Sequence, residues 1–471
     1  MLDLGGNVRL NPKLSGTTHN VFGIQVGVSI TMLIRHEGND TNAPATVMYA
    51  RTPEAWRKEK KYVQLDQWSQ GSAVPWKVLL PDKKTNWLTD GMERVFDSFT
   101  PMASAKASES VFSQYSLGVS TNRDSVVYDF RKDALVIKVK EFIEEFKGEL
   151  DRYLQSGKPK DTDSFVDYTS IQWSRNLKTH LHTGDYPAFN ESSIRTALYR
   201  PFSKRSLYLQ DVLVDEPSRT GGYASPENPI IAVTSPGSDK PFMAIASECT
   251  LDLHTVGPGA GSQCFPFYIQ DEQGNFRENI TDWSLAEFRT HYGQKSITKW
   301  DIFHYTYALL HHPEYRTRYA ANLKRELPRI PFAPDFAQYA RIGAELMKLH
   351  IEYESQPEYP LQRTETGKLH WRVEKMVLSK DKTQLRYNSF LTLGGIPPEV
   401  FEYRLGNRSA LEWVIDQYRV STDKRSGIVN DPNRADDPEY IVRLIGQVAV
   451  VSLETVRLVR ELAALPLLPP I

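Results

Sequence analysis

The sequence predicts a mixed α/β fold of the α+β kind, with short strands and loops first and mainly helices in the last third. A run rich in β-branched residues, Val21–Ile34, predicts a largely buried strand, and a second short strand is expected near Thr46–Ala50. Over Asp133–Leu154, apolar residues recur at helical spacing and predict an amphipathic helix. Beyond Thr298 helical periodicity dominates, so a strand-rich part precedes a helical part.

Local start signals locate the elements of the helical part. Thr298 and Asp301 have the spacing of a capping box ahead of a first helix. Further helices are expected from Pro313 to about Leu327, from Asp335 to about Tyr353, over Ser409–Tyr418 and over Pro438–Leu462. A β-hairpin over residues 373–393, turned at Lys380–Thr383, is predicted between them.

The length predicts several structural units. A chain of 471 residues exceeds one ordinary domain of about 100–200 residues. We expect a strand pair at residues 1–51, a Trp- and Pro-rich connector at 52–100, a loop-rich mixed region at 101–297 and a mainly helical region at 298–471. A strand pair with no sheet beside it exposes an apolar edge, so we expect further polypeptide to cover residues 1–51.

The composition is that of a folded protein with balanced charge. The chain holds 57 lysines and arginines against 58 aspartates and glutamates, which argues against a polycationic nucleic-acid coat. No apolar run approaches the roughly 18 residues of a spanning helix and no export signal opens the chain, so a cytoplasmic location without membrane contact is expected. Cys249 and Cys264 are too few for a disulfide framework or a thiolate zinc site.

Positive charge is concentrated in two stretches that contain no acidic residue. The first, Tyr168–Gly184, includes Arg175 and Lys178, and the second, Ser192–Gln210, includes Arg195, Arg200, Lys204 and Arg205. Within a neutral molecule, such stretches can supply a positive surface for an anionic partner. The alternative is that each charge run is an ordinary solvated face.

Several short blocks, in a fixed order across the chain, carry a family resemblance. They are Gly16–Val28, Gly118–Asp124, Tyr199–Phe202, Ile302–Tyr305, Ile330–Phe332 and Asn407–Tyr418. Their order and spacing resemble the adenine-specific DNA methyltransferases of the type ISP restriction-modification enzymes. In that family a nuclease, a helicase, a methyltransferase and a target-recognition domain follow one another in one polypeptide.

The resemblance covers only the last portion of such an enzyme. It implies that residues 1–51 are the terminal strands of a Rossmann-like methyltransferase sheet, and that a mixed target-recognition region with a helical C-terminal part follows. The implied partners are double-stranded DNA and upstream methyltransferase domains, with helicase and nuclease domains beyond them. S-adenosylmethionine is expected in the methyltransferase domain of the parent enzyme.

The motifs that perform methyl transfer are missing from this sequence. Asn11-Pro12-Lys13 begins like the Asn-Pro-Pro-aromatic motif that holds a flipped adenine, but it lacks the second proline and the aromatic residue. Gly257–Gly261 is glycine-rich, yet it does not open a helix as a phosphate-binding or dinucleotide-binding loop must. His180, His182 and the His311–His312 pair lack a third metal ligand at a plausible spacing. We therefore expect no catalytic, cofactor-binding or metal-binding residue in this chain.

Candidate DNA-binding residues were chosen by the match of side chains to base edges and phosphates. Arginine pairs well with guanine and asparagine with adenine, while hydroxyl groups and cations suit the backbone. The candidates are Thr121, Asn122, Arg123, Arg175, Lys178, Arg200, Lys204, Arg205, Asn407 and Arg408.

Each group of candidates has a structural alternative. Asp124 can pair with Arg123 to brace the first loop, and Tyr199 and Phe202 can be core residues beside an internal ion pair of Arg200. Ser409 and Glu412 have capping-box spacing, so the segment before them can simply begin a helix.

Three functions fit these observations. The first is sequence-specific recognition of duplex DNA for a restriction-modification adenine methyltransferase, which positions the target adenine. The second is the C-terminal subunit of a split methyltransferase that is active only with a partner chain, and the third is a structural adaptor against a motor domain. A steep loss of DNA affinity with rising salt distinguishes the first from the third.

Overall fold

A computed structural model describes residues 1–8, 17–36, 38, 45–69, 73–81, 85–89, 91–104, 109–218, 224–238, 240–271, 273–424 and 426–469. The Asn11-Pro12-Lys13 motif and Gly16 lie outside these ranges. The chain forms two compact units, residues 1–92 and 93–471. Of the helices in the described ranges, none is long and apolar enough to cross a membrane.

The unit at residues 1–92 contains a small mixed sheet. Its strands are β1 (Leu2–Gly5), β2 (Val28–Ile30), β3 (Val47–Arg51) and β4 (Lys77–Leu79), and its helix is α1 (Lys58–Gln67). The strand order is β2-β1-β3-β4, with β1 parallel to β3 and the other pairs antiparallel. A small core of Leu2, Leu4, Val21, Ala50 and Val74 holds it together.

The expected long buried strand is wrong. Only Val28–Ile30 of the predicted segment is a strand, and most of its apolar side chains are open to solvent, with Phe22 73% and Leu33 90% exposed. The second strand, expected near Thr46–Ala50, is confirmed as Val47–Arg51. Apolar, β-branched composition thus identified the strand region but not its burial.

The unit at residues 93–471 combines several small sheets with helices. Its strands are β5 (Thr100–Pro101), β6 (Ser116–Leu117), β7 (Tyr128–Asp129), β8 (Ile194–Arg200), β9 (Ser203–Tyr208), β10 (Ile230–Thr234), β11 (Ala244–Ser247), β12 (Thr250–Leu251), β13 (Ser262–Pro266), β14 (Tyr268–Gln270), β15 (Phe276–Glu278), β16 (Arg329–Ile330), β17 (Gln362–Glu365), β18 (Val377–Leu378), β19 (Gln384–Arg386), β20 (Leu391–Gly394), β21 (Arg404–Leu405), β22 (Arg408–Ser409), β23 (Ser421–Thr422) and β24 (Val429–Asn430). Its helices are α2 (Asp124–Val127), α3 (Lys132–Gln155), α4 (Thr162–Phe165), α5 (Arg175–Thr183), α6 (Asp282–Tyr292), α7 (Lys299–Leu309), α8 (Pro313–Arg318), α9 (Ala320–Leu323), α10 (Phe336–Ile351), α11 (Ala410–Gln417) and α12 (Tyr440–Ala463).

Three four-stranded sheets order this unit. Their strand orders are β11-β10-β13-β6, β12-β8-β9-β7 and β17-β20-β19-β18. In the first sheet, every residue of β10 is buried, as expected for a central strand covered on both faces. The mixed α/β architecture is therefore confirmed, while the terminal strands of a Rossmann-like sheet remain a prediction.

Helix α3 organises a separate core. Its buried residues Leu135, Val139, Phe142, Phe146 and Leu150 form the stripe read from the sequence, and they pack against β8, β9 and α5 in one apolar cluster. The predicted helix over Asp133–Leu154 is thus confirmed to within a residue at either end.

The C-terminal helices begin where the cap signals placed them. Thr298 and Ser409 each form a complete capping box, Asp335 caps α10 through its side chain, and Pro313 is the first residue of α8. The predicted hairpin over residues 373–393 is confirmed as β18 and β19, and β20 extends it into a sheet.

Candidate nucleic-acid interface

The loop at residues 121–124 is a braced turn. Thr121 is buried and donates its hydroxyl hydrogen bond to Asp124. Arg123 is also buried and donates at 2.7 Å to both the Leu213 carbonyl oxygen and Ser174 Oγ. Burial lowers the pKa of Arg123 to about 10. Thr121 and Arg123 act as internal braces, and the ionic partner of Arg123 is Asp215, at 3.7 Å, rather than the expected Asp124.

The exposed groups near this loop lie at the start of α5. Asn122 has a left-handed backbone, φ +53°, and donates to Asp215, which also accepts from the α5 cap Ser174. Arg175, the next residue, is exposed and makes no side-chain hydrogen bond or ion pair with the described part of the chain. Lys178, one turn later, is held by Asp163. Two predicted segments therefore meet here, and Asn122 and Arg175 are their accessible members.

The segment from Tyr199 to Arg205 is mostly internal. The Arg200 guanidinium is buried and pairs with Asp252 at 2.7 Å, as the structural alternative anticipated. Lys204 is bound by Glu354 at 2.7 Å. Arg205 is sandwiched between the Phe130 and Tyr199 rings, 4.3 and 4.0 Å from their centroids.

These contacts give all three cations of that segment internal partners, and their role in DNA binding stays a prediction. Carboxylates neutralise Arg200 and Lys204. The guanidinium of Arg205 instead contacts two aromatic rings, which attract a cation. Burial lowers the pKa of Arg205. The three cations therefore stabilise the junction of the β8–β9 sheet with its neighbours.

A polar chain links this junction to the segment around Asn407. Arg205 donates to Gln417 at 3.4 Å, Gln417 donates to Asp416 at 2.9 Å, and Arg408 pairs with Asp416 at 2.8 Å. The guanidinium of Arg408 also lies 4.8 Å from the Trp413 ring centroid. Candidates far apart in sequence are thus connected through the C-terminal end of α11.

A concave surface rich in cations lies beside α11. This basic cleft has a volume of about 530 Å³ and lies between β18, the β21–β22 turn and α11. It is lined by the cations Lys375, Lys382, Arg404, Arg408 and Arg419, the acids Glu412 and Asp416, and Met376, Leu378, Asn407 and Ile415. Five cations against two carboxylates leave an excess of three positive charges.

The two acids of the basic cleft are already occupied. Glu412 accepts from the backbone of Ser409 in the capping box and pairs with Lys382 at 2.8 Å. Asp416 is shared by Arg408 and, at 3.9 Å, Arg419. Lys375 has no ion pair among the described residues, and Asn407 is exposed at the tip of the β21–β22 turn. The cleft therefore keeps positive charge and amide groups available to an anionic ligand.

Sequence reasoning found two members of the basic cleft and missed the rest. Asn407 and Arg408 were chosen, but Lys375, Arg404 and Arg419 were not. A signal existed, because residues 368–386 carry six lysines and arginines against Glu374 and Asp381. A search for acid-free stretches misses this excess of positive charge, because it rejects any segment that contains an acid.

The described residues show no grouping suited to a metal ion. No set of three or more histidine, cysteine or acidic side chains converges on one point within them. His180 pairs with Asp185, and His182 bonds to Tyr153 and Thr162. The glycine-rich segment at residues 257–261 connects β12 to β13, and a Cβ at Gly257 would lie 3.5 Å from the Trp413 ring.

Comparison with known proteins gives a consistent result. The family model described as the type ISP C-terminal specificity domain matches residues 110–444, more than two thirds of the chain. No curated protein is a significant match.

Three solved structures are similar over 98% of this chain. A DrdV–DNA complex determined by cryo-electron microscopy has 33% identity and a TM-score of 0.79. A nuclease-deletion mutant of the type ISP restriction-modification enzyme LlaGI, in complex with a DNA substrate mimic, has 29% identity and a TM-score of 0.81. The ATP-dependent type ISP restriction-modification enzyme LlaBIII, bound to DNA, has 27% identity and a TM-score of 0.83.

This chain spans 47%, 43% and 30% of those three polypeptides, respectively, so it corresponds to less than half of each. The family match covers the basic cleft, the 121–124 loop and the internal ion pairs. The chain belongs to the family of type ISP C-terminal specificity domains.

Proposed function

We propose that this chain recognises a specific sequence in duplex DNA, and that the basic cleft beside α11 is a principal contact surface. The carrying observation is the excess of three positive charges around an exposed asparagine. Cations position a protein on phosphates, while amide and guanidinium groups distinguish bases. The similar solved structures, each of them a DNA complex, support the same ligand class.

Within the cleft we assign different roles to different groups. Lys375 has no ion pair among described residues and is placed as a phosphate contact, whereas Asn407 and Arg404 lie at a tight turn that can enter a groove. Arg408 is held by Asp416 and orients this turn. Asn122 and Arg175 are proposed as a second contact point at the start of α5.

The test begins with selection of bound sequences from a randomised duplex library by the intact chain. We expect one enriched motif. Asn407→Ala should relax selectivity at one position by about 1–3 kcal/mol. Lys375→Ala should weaken all sequences equally and reduce the salt slope by about one. Lys160→Ala, which removes another exposed cation without an ion pair in the described chain, is the matched control.

Two outcomes count against the proposal. One is the absence of binding to any duplex at low salt. The other is equal loss of affinity for Lys375→Ala and Lys160→Ala, because a specific cleft predicts a difference between these two lysines.

We further propose that recognition positions an adenine for a methyltransferase that lies outside this chain. The segment at residues 22–34 supports the idea, because Phe22, Met32, Leu33 and Ile34 expose apolar side chains that a completed Rossmann-like sheet would cover. S-adenosylmethionine would bind in that methyltransferase, and helicase or nuclease domains would belong to the same parent enzyme.

Transfer of labelled methyl groups to DNA tests this coupling. The chain is expected to be inactive by itself and to support transfer at the selected motif when combined with a type ISP methyltransferase domain. Methylation that ignores the selected motif would contradict the coupling while leaving DNA binding intact.

A further inference from the structure

A second cationic cavity lies away from the basic cleft. It has a volume of about 420 Å³ and is lined by described residues between β10 and β11 and by the short helices α8 and α9. Its polar lining consists of Thr234, Ser235, Ser238, Lys240, Arg316, Thr317 and Lys324, and none of its described lining residues is acidic.

Arg316 is the unusual group in this cavity. Its side chain is partly buried, and the only hydrogen bond that this side chain makes among the described residues is donated to the Phe242 carbonyl oxygen at 2.7 Å. It makes no ion pair with a described carboxylate, whereas Arg200, which is more deeply buried, pairs with Asp252. A guanidinium carries five donors, so most donors of Arg316 have no partner among the described residues.

The lack of a described carboxylate partner favours an anion as a ligand of Arg316. Burial lowers the pKa of Arg316, in agreement with that lack of an acidic partner. A buried charge is normally paired, because an unpaired one forfeits its hydration. The neighbouring side chains Tyr403 and Tyr307 raise the pKa of Arg316, but by less than burial lowers it.

Other donors surround the same space. The Lys324 ammonium makes no ion pair with a described carboxylate. The Ser235 hydroxyl has no hydrogen-bond partner in the described chain, and the exposed hydroxyl of Thr317 lies on the opposite wall. A planar guanidinium, an ammonium and hydroxyl groups form the donor set that suits a tetrahedral oxyanion.

We propose that this cavity binds a phosphate group, with Arg316 as the central ligand and Lys324 as an outer one. The phosphate group belongs either to a free phosphate-bearing molecule or to the DNA backbone, since both present the same chemistry. The site is separate from the basic cleft. The proposal does not depend on whether the basic cleft recognises a DNA sequence.

The first experiment titrates inorganic phosphate into the intact chain by calorimetry, with ionic strength kept constant by chloride. We expect one saturable site, weakened at least tenfold by Arg316→Gln and severalfold by Lys324→Gln. Lys324 is exposed, so its variant should fold normally even if replacement of Arg316 destabilises the chain. Lys348→Gln, at an exposed lysine on α10 outside the cavity, is the matched control and should bind phosphate as the unaltered chain does.

The second experiment measures duplex affinity for the same variants over a range of salt concentrations. Weaker binding and a shallower salt slope for Lys324→Gln, but not Lys348→Gln, identify the ligand as backbone phosphate. Unchanged DNA binding together with lost phosphate binding identifies a free phosphate compound. The proposal is overturned if phosphate binds the variants as well as the unaltered chain, or if neither phosphate nor duplex binding depends on Lys324 and Arg316.

Discussion

Replacement of Arg200 by methionine should destabilise the unit at residues 93–471 rather than remove a DNA contact. Its side chain is 7% exposed, that of Asp252 is 3% exposed, and the two are 2.7 Å apart. Removal of one partner leaves a buried charge uncompensated, which costs about 3–5 kcal/mol. Because domains unfold with a free energy of about 5–15 kcal/mol, the expected loss is a large fraction of the total.

Urea unfolding followed by tryptophan fluorescence measures this loss. Arg443→Met, outside the basic cleft, is the matched control, because its pair with Asp437 is partly exposed, 38% and 36%, and such pairs contribute about 0–1 kcal/mol. The double variant Arg200→Met/Asp252→Leu should recover most of the loss, since it removes both charges. Equal effects of Arg200→Met and the control, with weaker duplex binding only for Arg200→Met, would refute the internal role.

Four other substitutions have effects of known sign. Gly343→Ala should destabilise the chain by about 1–3 kcal/mol or more, because its Cβ would lie 1.9 Å from the His304 carbonyl oxygen. Gly148→Ala, whose Cβ would have no atom within 4 Å, should stabilise α3 by about 0.5–1 kcal/mol. Thermal unfolding measures both changes, and a change of the same sign in the two variants would contradict the packing around Gly343. Ser409→Ala should cost about 1 kcal/mol in urea unfolding through loss of the α11 cap, and a negligible change would show the capping box to be dispensable. Burial lowers the pKa of His311 from 6.5 to about 4, so the stability that its neutral form provides is complete above pH 6.5 and is lost as pH falls toward 4. His311→Gln should therefore flatten the acid side of the stability profile by up to about 1.4 kcal/mol per pH unit, and an unchanged profile would assign the slope to other groups.

Helix positions were predictable because their signals are local. The caps Thr298 and Ser409 and the stripe on α3 lie within a few residues of the structure they determine, and each was found at its expected place. The strand at Val21–Ile34 failed because burial depends on what lies across the sheet. Its composition favours a strand but carries no information about a cover, and most of its side chains are exposed.

The internal partners of several candidate cations could not be predicted, for a related reason. An acid-free stretch predicts a positive surface only if folding brings no acid to it, and the partners here are distant in sequence. Asp252 follows Arg200 by 52 residues, and Glu354 follows Lys204 by 150. Local charge counting therefore selected Arg200 and Lys204 although acids distant in sequence pair with them.

The criterion that separates candidate binding cations from structural ones is thus a place in a cavity together with the lack of a described carboxylate partner. Lys375 and Arg316 satisfy it, since neither makes an ion pair with a described acid, although they lie in different cavities. Arg408 does not satisfy this criterion, because it pairs with Asp416. Asp416 is shared with Arg419, however, so one carboxylate faces two cations and this part of the basic cleft keeps a positive charge. If shared carboxylates neutralised the cleft as fully as Asp252 neutralises Arg200, Lys375→Ala would leave the salt dependence of duplex binding unchanged. A slope reduced by about one would instead show that the cleft exchanges counterions with DNA.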